Sequence, residues 1–200
     1  MWEAIGKLQI DFLRARGLTP DMRLLDVGCG CLRGGVHFVE YLEPGGYYGM
    51  DLWQELLDAG YDIELAEAGL QDRLPRENLI ADGEFRAERF GVTFDAALAQ
   101  SVFTHLPVNH IRLCLARLAP VMRPGGALYA TIFPCERDAD WFGPVKRAGG
   151  AITTWPDRDP YHYTYADMER AAAGLPWEVE AVGDWGHPRG QAMVVLTRRA

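Results

Sequence analysis

The sequence lacks the features that mark membrane-spanning, secreted and nucleic-acid-binding proteins. It contains only two lysines and no dense run of arginine, and its net charge is −8. An acidic surface repels phosphate backbones, so we expect neither nucleic acid nor a membrane as a partner. No uninterrupted apolar run reaches the roughly 18 residues of a membrane span, and the first residues show no signal-peptide pattern. We therefore expect a cytoplasmic protein.

Cysteine is also scarce, and its spacing does not favour a metal or a disulfide. The chain has four cysteines, at Cys29, Cys31, Cys114 and Cys135. Cys29 and Cys31 lie too close together, within a glycine turn, for a comfortable disulfide. Neither has a nearby histidine or cysteine that would complete a zinc site. We therefore expect reduced thiols and no bound metal.

The hydrophobic pattern predicts a single domain over residues 1–200, in which strands and helices alternate. A hydrophobic fraction of 48% in 200 residues is sufficient for one full core. The predicted helices cover residues 2–17, 34–41, 53–68, 108–122 and 164–173. The predicted strands cover residues 23–27, 47–51, 78–81, 94–100, 127–133, 177–182 and 192–197. This order predicts a three-layer α/β/α sandwich with a mostly parallel sheet, closed at one edge by a hairpin.

The most informative local pattern is a strand that ends in an acid and opens into a glycine turn. Asp26 closes the first strand, and Gly28 and Gly30 follow it. The dinucleotide pattern G-x-G-x-x-G needs its third glycine at Arg33, and Asp26 would repel a pyrophosphate. A ligand that has a cationic end and no phosphate suits this turn better. The pattern therefore favours S-adenosylmethionine, with its ammonium and sulfonium, over NAD.

Four segments, in this order and spacing, resemble the class I S-adenosylmethionine-dependent methyltransferases. They are residues 25–30, 49–51, 94–106 and 123–126. The resemblance implies a Rossmann-like, seven-stranded sheet with an antiparallel last strand. It also implies S-adenosylmethionine as the cofactor, S-adenosylhomocysteine as the product, and an enzyme that transfers methyl groups. One position departs from the family loop, acid-x-Gly-x-Gly-x-Gly, because Leu32 stands where the third glycine is expected.

Three acids, Asp26, Asp51 and Asp82, follow or end the first three strands, and we expect them at one edge of one cleft. The resemblance implies that Asp51 accepts hydrogen bonds from both ribose hydroxyls and that Asp82 accepts one from the adenine amine. Asp26 is expected to favour the ammonium of the cofactor. The alternatives are a helix cap for Asp51 and an ordinary turn acid for Asp82.

Other residues near these strand ends complete the expected cofactor site. Arg33 either pairs with the cofactor carboxylate or is an ordinary exposed arginine. Gln100 and Ser101, after the fourth strand, are expected beside the sulfonium. Phe85 either packs on adenine or belongs to the core. The remaining expected cofactor contacts are Gly28, Cys29, Gly30, Gly34, Leu52 and Gly83.

Methyl transfer to oxygen or nitrogen requires the acceptor to lose a proton, and histidine is the natural base. His105 follows the fourth strand at the mouth of the expected cleft and is the first candidate. His162 and His187 are weaker candidates. The alternative for His105 is a helix-start histidine that bonds to the backbone, whereas His37 and His110 lie on predicted helices and are expected to be structural or exposed.

Two segments are candidates for the walls of an acceptor pocket. Residues 134–165 are rich in aromatic side chains and follow the fifth strand, where a lid is expected. Residues 1–20 form an N-terminal helix that could close over the site with Trp2 and Phe12. The alternative for both segments is ordinary packing against the sheet.

These patterns lead to the hypothesis of a small-molecule methyltransferase that acts on oxygen, as a monomer or a homodimer. The Asn/Asp-Pro-Pro-Tyr signature of amide and adenine N-methylation is absent after the fourth strand, where residues 100–103 read Gln-Ser-Val-Phe. The main alternative is a protein that binds S-adenosylmethionine or acts as a scaffold without catalysis. An NAD-dependent enzyme is a third and disfavoured alternative.

Overall fold

The computed structural model describes residues 2–136, 139–147 and 150–200. The helices are α1 (Trp2–Ala15), α2 (Gly35–Tyr41), α3 (Gln54–Ala59), α4 (Leu65–Glu67), α5 (Val108–Leu118) and α6 (Tyr165–Ala172). The strands are β1 (Leu24–Val27), β2 (Tyr47–Asp51), β3 (Leu79–Ala81), β4 (Phe94–Ala99), β5 (Met122–Pro134), β6 (Val145–Arg147), β7 (Ile152–Thr154), β8 (His162–Tyr163), β9 (Trp177–Asp184) and β10 (Ala192–Arg198). Within this described part, no helix is both long and apolar enough to cross a membrane.

Seven strands form the main sheet, in the order β3-β2-β1-β4-β5-β10-β9. The first five strands of the sequence pair in parallel, whereas β10 runs antiparallel to both β5 and β9. The Rossmann-like sheet with an antiparallel last strand is therefore confirmed. The short strand β8 pairs with the end of β5, and β6 and β7 form a separate hairpin.

Both faces of the sheet are covered, as the apolar strands predict. Leu24 and Leu25 are neighbours in β1 and are both fully buried, yet they belong to opposite hydrophobic clusters. Leu25 packs in a cluster with α5 and α6, and Leu24 packs in a cluster with α1 and α2. Since successive side chains of a strand point to opposite faces, the sheet is the middle layer of three.

The predicted helix over residues 53–68 is interrupted in the structure. A π-helical turn, Gly60–Glu64, separates α3 from α4. A Cβ atom on Gly60 would lie 2.7 Å from Leu32 and 2.8 Å from the backbone of Cys31. The interruption therefore occurs where this helical segment packs against the glycine loop, which is a close approach that only glycine allows.

The carboxyl ends of the parallel strands define the edge where the site lies. Asp26 and Val27 pair with Gly49 and Met50, so the first two strands end at nearly the same level. Asp51 pairs with Ala81, and the backbone N–H of Asp82 donates to the carbonyl of Asp51 at 2.8 Å. The three acids therefore come from neighbouring strand ends, as the sequence predicts.

Candidate active site

The glycine loop after β1 is fixed by backbone and carboxylate hydrogen bonds. The N–H groups of Gly28 and Cys29 both donate to the carbonyl of Met50, at 2.8 and 3.1 Å. The N–H of Gly30 donates to Oδ2 of Asp51 at 2.8 Å. Asp51 therefore holds the loop from the neighbouring strand. Its Oδ1 also accepts from the N–H of Trp53 at 3.2 Å, in the turn just before α3, and the N-cap residue of α3 forms no side-chain capping hydrogen bond.

Leu32 adopts the backbone conformation that a glycine would adopt. Its φ is +60°, in the left-handed region, and its side chain is fully buried in the hydrophobic cluster that also contains Phe38 of α2 and Leu57 of α3. A non-glycine residue there costs on the order of 1 kcal/mol. The departure from the family loop therefore changes the side chain while keeping the left-handed turn.

Three non-glycine residues in the described chain have a positive φ, and all three lie at this edge of the sheet. They are Leu32, Phe85 and Ser101, with φ values of 60°, 57° and 57°. Phe85 lines one cavity of the cleft, and Ser101 lines both. Such strain persists where the surroundings fix the backbone, which is typical of functional sites.

Two cavities occupy the cleft and meet at Gly28 and Ser101, the two residues that line both. The first cavity, of about 310 Å³, lies beside the glycine loop, and Asp26, Arg33 and Gln100 are among its lining residues. The second, of about 490 Å³, lies beyond β2 and β3. Its lining residues include Asp51, Leu52, Trp53, Gly83, Phe85, Val102 and His105.

Glycines shape the walls of both cavities at close contacts. A Cβ on Gly28 would lie 2.4 Å from Val102, and Gly28 also has a positive φ of 70°. A Cβ on Gly83 would lie 2.8 Å from Leu52. Gly28 therefore needs glycine both for its conformation and for space, whereas the contact at Gly83 is with the end of the exposed Leu52 side chain, which can move.

Asp26 is a buried carboxylate that faces the first cavity. It is 5% exposed, and its Oδ2 accepts a 2.8 Å hydrogen bond from the hydroxyl of Tyr47. Burial raises the pKa of Asp26 to about 7, and the nearby charge of Asp51 acts in the same direction, while the Tyr47 hydrogen bond opposes the rise. A buried carboxylate of this kind is stabilised by a cation placed beside it.

Asp82 is already fully hydrogen-bonded within the protein. Its Oδ1 accepts from the N–H groups of Glu84 and Arg86, and its Oδ2 accepts from the guanidinium groups of Arg86 and Arg89. Burial acts to raise the pKa of Asp82, but these hydrogen bonds outweigh it and lower the pKa. Four donors fill the acceptor capacity of a carboxylate. The geometry therefore favours a role in shaping the Gly83–Phe85 turn, and an adenine contact of this side chain stays a prediction.

A polar network fixes the two residues that follow β4. The N–H of Ser101 donates to Oγ1 of Thr131 at 2.7 Å, and its hydroxyl donates to Gln191 at 3.0 Å. The amide of Gln100 donates to the Ser101 hydroxyl at 2.7 Å and accepts from Gln9 of α1 at 3.1 Å. The contact from Gln9 brings α1 to the first cavity, which Ile5 and Gly6 of the same helix also line.

His105 has one ring nitrogen engaged by a carboxylate. Its Nδ1 lies 2.6 Å from Oδ1 of Asp159, and both side chains are about half exposed. The loop that carries Asp159 is also tied to this turn, because the N–H of Tyr161 donates to the carbonyl of Thr104 at 2.7 Å. His105 lines the second cavity.

His162 lies inside the protein, with both ring nitrogens bonded. It is 2% exposed, with Nδ1 3.1 Å from the hydroxyl of Thr154 and Nε2 3.2 Å from the carbonyl of Trp141. The same hydroxyl accepts from Nε of Arg147 at 3.2 Å. These contacts fasten the β6–β7 hairpin to β8, so the geometry favours a structural role over that of a base.

His187 lines the first cavity but is poorly suited to accept a proton. Its Nδ1 accepts from the N–H of Arg189 at 3.3 Å, and its Nε2 lies 3.1 Å from the amide nitrogen of Gln100. Burial, together with the charge of Arg189, lowers the pKa of His187 to about 4. The ring is therefore neutral near pH 7 and acts as a hydrogen-bonding wall.

The aromatic residues expected around an acceptor divide into separate groups. Phe12 packs edge-on against Tyr129 and Trp185, with centroids 6.0 and 5.4 Å apart, and lines neither cavity. The side chain of Trp2 lies outside the described residues. Phe85 is 8% exposed and both packs in the core and lines the second cavity. None of the described residues within 134–165 lines either cavity, and this segment reaches the cleft through the contact of Asp159 with His105.

Sequence reasoning missed four residues that the structure brings to the site. Tyr47 reads as part of an apolar strand, and Gln9 as one polar position of a helix. Asp159 and Arg189 lie in loops, and no local signal distinguishes them from other surface residues. Their placement depends on contacts between segments far apart in the chain, such as the 54 residues that separate His105 from Asp159.

The sheet order, the glycine loop and the acids at the strand ends together define a class I S-adenosylmethionine-dependent methyltransferase. The family model described as a methyltransferase domain matches residues 25–128, and the chain belongs to this family.

Solved structures share the fold at low sequence identity. The CcbJ methyltransferase from Streptomyces caelestis is 13% identical, with a TM-score of 0.73 over 98% of this chain and 90% of that one. An amino pentose methyltransferase from Micromonospora echinaspora, solved with bound S-adenosylmethionine, is 22% identical, with a TM-score of 0.65 over 99% and 92%. The magnesium protoporphyrin IX methyltransferase from Synechocystis PCC 6803, also with the cofactor bound, is 13% identical, with a TM-score of 0.68 over 98% and 79%.

Proposed function

We propose that this protein transfers a methyl group from S-adenosylmethionine to an oxygen atom of a small-molecule acceptor. The observation that carries the proposal is the pair of cavities that meet at Gly28 and Ser101. One has a buried carboxylate suited to a cation, and the other has a strand-end carboxylate beside an apolar wall. A cofactor with an amino-acid end and a nucleoside end matches this division.

The second cavity is suited to the adenosine end. Asp51 keeps part of its surface exposed, and we infer that its oxygens accept from the ribose hydroxyls in addition to holding the glycine loop. Leu52, Gly83 and Phe85 supply the apolar walls for the adenine ring. This arrangement needs no contribution from Asp82, whose carboxylate already accepts four hydrogen bonds within the protein.

The first cavity is suited to the amino-acid end. We infer that Asp26 receives the ammonium and that Arg33, which lines the same cavity, receives the carboxylate. The backbone of Gly28, Cys29, Gly30 and Gly34 borders this space. When bound, S-adenosylmethionine supplies a methyl group activated by the positive sulfonium. Gln100 and Ser101, fixed by their network, border the point where the two cavities meet.

His105 is our candidate for the base that takes the acceptor proton. A carboxylate can only accept a hydrogen bond, so Asp159 places the imidazole proton on Nδ1 and leaves Nε2 as the basic atom. His162 and His187 have both ring nitrogens engaged, whereas His105 has one. Asp159 then acts as a positioning residue on the segment proposed to cover the acceptor.

The choice of a small molecule rests on charge and on the fold neighbours. The chain carries 28 acidic and 20 basic residues, which disfavours a nucleic-acid substrate. Two of the neighbours described above carry a small molecule, an amino pentose or magnesium protoporphyrin IX, in their names. We infer the same substrate class here, in a single-domain enzyme.

The proposal is tested by calorimetric titration with S-adenosylhomocysteine. We expect micromolar binding to the wild type and a loss of at least tenfold in affinity for Asp51→Ala. Asp72→Ala removes an exposed carboxylate outside both cavities and is the matched control. A small-molecule panel with isotope-labelled S-adenosylmethionine then tests transfer. Absence of binding to the wild type would contradict the cofactor assignment, and binding without transfer to any acceptor would favour the non-catalytic alternative.

A further inference from the structure

Building on the proposed function, we propose that the acceptor carries an anionic group, such as a carboxylate, and that Arg189 binds this group in the first cavity. Arg189 lies in the loop between β9 and β10 and lines the first cavity together with Gln9, Gln100 and His187. It would determine which acceptors enter, without taking part in the bond changes at the methyl group.

The loop that carries Arg189 is built to hold it in place. The N–H of Arg189 donates to Nδ1 of the buried His187, and the N–H of Gly190 donates to the carbonyl of His187 at 2.9 Å. The indole of Trp185 stacks on the His187 ring and donates to the carbonyl of Gln191 at 3.1 Å. The backbone of Arg189 is therefore fixed at the cavity wall by its neighbours.

The first cavity has more charged side chains than the amino-acid end of the cofactor has charged groups to pair with them. Among the described residues, the charged ones that line it are Asp26, Arg33 and Arg189. The amino-acid end of the cofactor has one ammonium and one carboxylate, which pair with Asp26 and with one arginine. We assign that role to Arg33, because it lines the same cavity and directly follows the loop that carries Gly28 and Gly30. The positive charge of Arg189 is then left without a partner from the cofactor.

Within the described part of the chain, Arg189 also forms no ion pair. Other arginines at the surface do, as Arg76 pairs with Asp58 and Asp62, and Arg123 pairs with Asp95. The field of Arg189 acts on the site instead, since it contributes to lowering the pKa of both Arg33 and His187, after the larger effect of burial. An anion bound beside Arg189 would offset this repulsion.

The neutral groups around Arg189 do not compete for it. His187 is uncharged near pH 7, and the amide nitrogen of Gln9, which donates one hydrogen to Gln100, keeps a second hydrogen for an anion. The amide nitrogen of Gln100 is already engaged by Ser101 and His187. An anionic group here would therefore meet one guanidinium and the amide of Gln9. An arginine in such a position gives both charge and directed hydrogen bonds to a carboxylate.

The test uses the protein saturated with S-adenosylhomocysteine and simple probes. Acetate and benzoate are compared with their neutral counterparts acetamide and benzamide, at constant ionic strength set with chloride, by the shift in unfolding temperature and by titration. We expect the carboxylates to bind at least tenfold more tightly than the amides. Arg189→Gln should lose this difference while its affinity for S-adenosylhomocysteine stays within twofold of the wild type. Arg14→Gln, an exposed arginine outside both cavities, should behave as the wild type.

Three results would overturn the proposal. Equal binding of carboxylates and amides, or of carboxylates to wild type and Arg189→Gln, would remove the anionic subsite. A tenfold loss of S-adenosylhomocysteine affinity in Arg189→Gln would assign this arginine to the cofactor instead. A wild type that binds no S-adenosylhomocysteine would contradict the proposed function itself, and the proposal with it.

Discussion

The hydroxyl of Tyr47 donates a 2.8 Å hydrogen bond to Asp26, and both side chains are buried, on the neighbouring strands β2 and β1. This hydrogen bond lowers the pKa of the carboxyl, while burial and the charge of Asp51 raise it to about 7. Asp26 therefore titrates within the range in which most enzymes work. That property links proton release to the binding of a cationic ligand.

The affinity for S-adenosylhomocysteine should depend on pH through Asp26. The ammonium of S-adenosylhomocysteine interacts with the ionised carboxylate of Asp26. Below pH 7 this carboxyl group is protonated, so it must lose a proton when the ligand binds. We expect affinity to fall by about tenfold for each pH unit below about 7. Titrations between pH 5.5 and 7.5 measure this slope. Asp26→Asn should bind more weakly at pH 7.5 and show a flat profile, and a wild-type profile without slope would contradict the assignment of the ammonium.

Asp26→Asn should also stabilise the ligand-free protein at high pH. The folded-state pKa of Asp26 is above its unfolded value, so its contribution to stability is full below about pH 4 and is lost as pH rises through about 7. A shift from 3.8 to about 7 corresponds to on the order of 4 kcal/mol. Asp26→Asn keeps an acceptor for Tyr47 without a buried charge. Urea unfolding at pH 8 should give a higher unfolding free energy for the variant, and a lower one would show that the carboxylate is stabilised in the free protein.

Leu32→Gly should destabilise the protein although it restores the glycine of the family loop. Removing the positive-φ strain gains on the order of 1 kcal/mol, whereas deleting a fully buried leucine side chain costs about 2–5 kcal/mol. The loss of packing is the larger effect, so we expect a net decrease in unfolding free energy. The control is Gly30→Ala, where φ is +57° and a Cβ meets no atom within 4 Å, so that only strain is added. A more stable Leu32→Gly would mean that the strain exceeds the packing.

His187 should make the protein sensitive to acid. Its folded-state pKa, about 4, is below its unfolded value of 6.5, so its contribution to stability is present above pH 6.5 and is lost as pH falls towards 4. The maximal loss is about 3 kcal/mol. His187→Gln keeps polar atoms near Gln100 but does not titrate in this range. The difference in unfolding free energy between wild type and variant, measured at pH 7 and pH 4.5, isolates this effect from the opposite one of Asp26.

The fold and part of the site are predictable because they depend on local patterns. Asp26 and Asp51 stand near the carboxyl ends of their strands in the sequence. Once these strands pair in parallel, both acids must lie at the same edge of the sheet. The partner of each carboxylate is not predictable in the same way. Tyr47 is two residues before Gly49 in an apolar strand, and only the register with β1 shows that its hydroxyl reaches Asp26.

The residues that the sequence could not assign lie in loops or depend on packing. Leu32 takes a left-handed φ because the surrounding core accepts its side chain, which no propensity predicts. Gln9 and Arg189 reach the first cavity only through the docking of α1 and of the β9–β10 loop. The hydrogen bonds that occupy Asp82 come in part from Arg86 and Arg89. The spacing of these two arginines in the sequence is equally typical of side chains that face solvent.

Asp159 should affect catalysis by orienting His105, without affecting the stability of the fold. In Asp159→Asn the side chain can present an amide nitrogen to Nδ1, which allows the other tautomer and puts the proton on Nε2. With an acceptor found in the panel, we expect kcat to fall by about tenfold or more, within the range of base catalysis, while KM for S-adenosylmethionine and the unfolding temperature stay unchanged. Asp159→Glu should recover part of kcat because it restores a carboxylate. Asp157→Asn removes a neighbouring exposed acid, paired with Arg158, and is the matched control. An unchanged kcat in Asp159→Asn, or an equal loss in Asp157→Asn, would reject the positioning role.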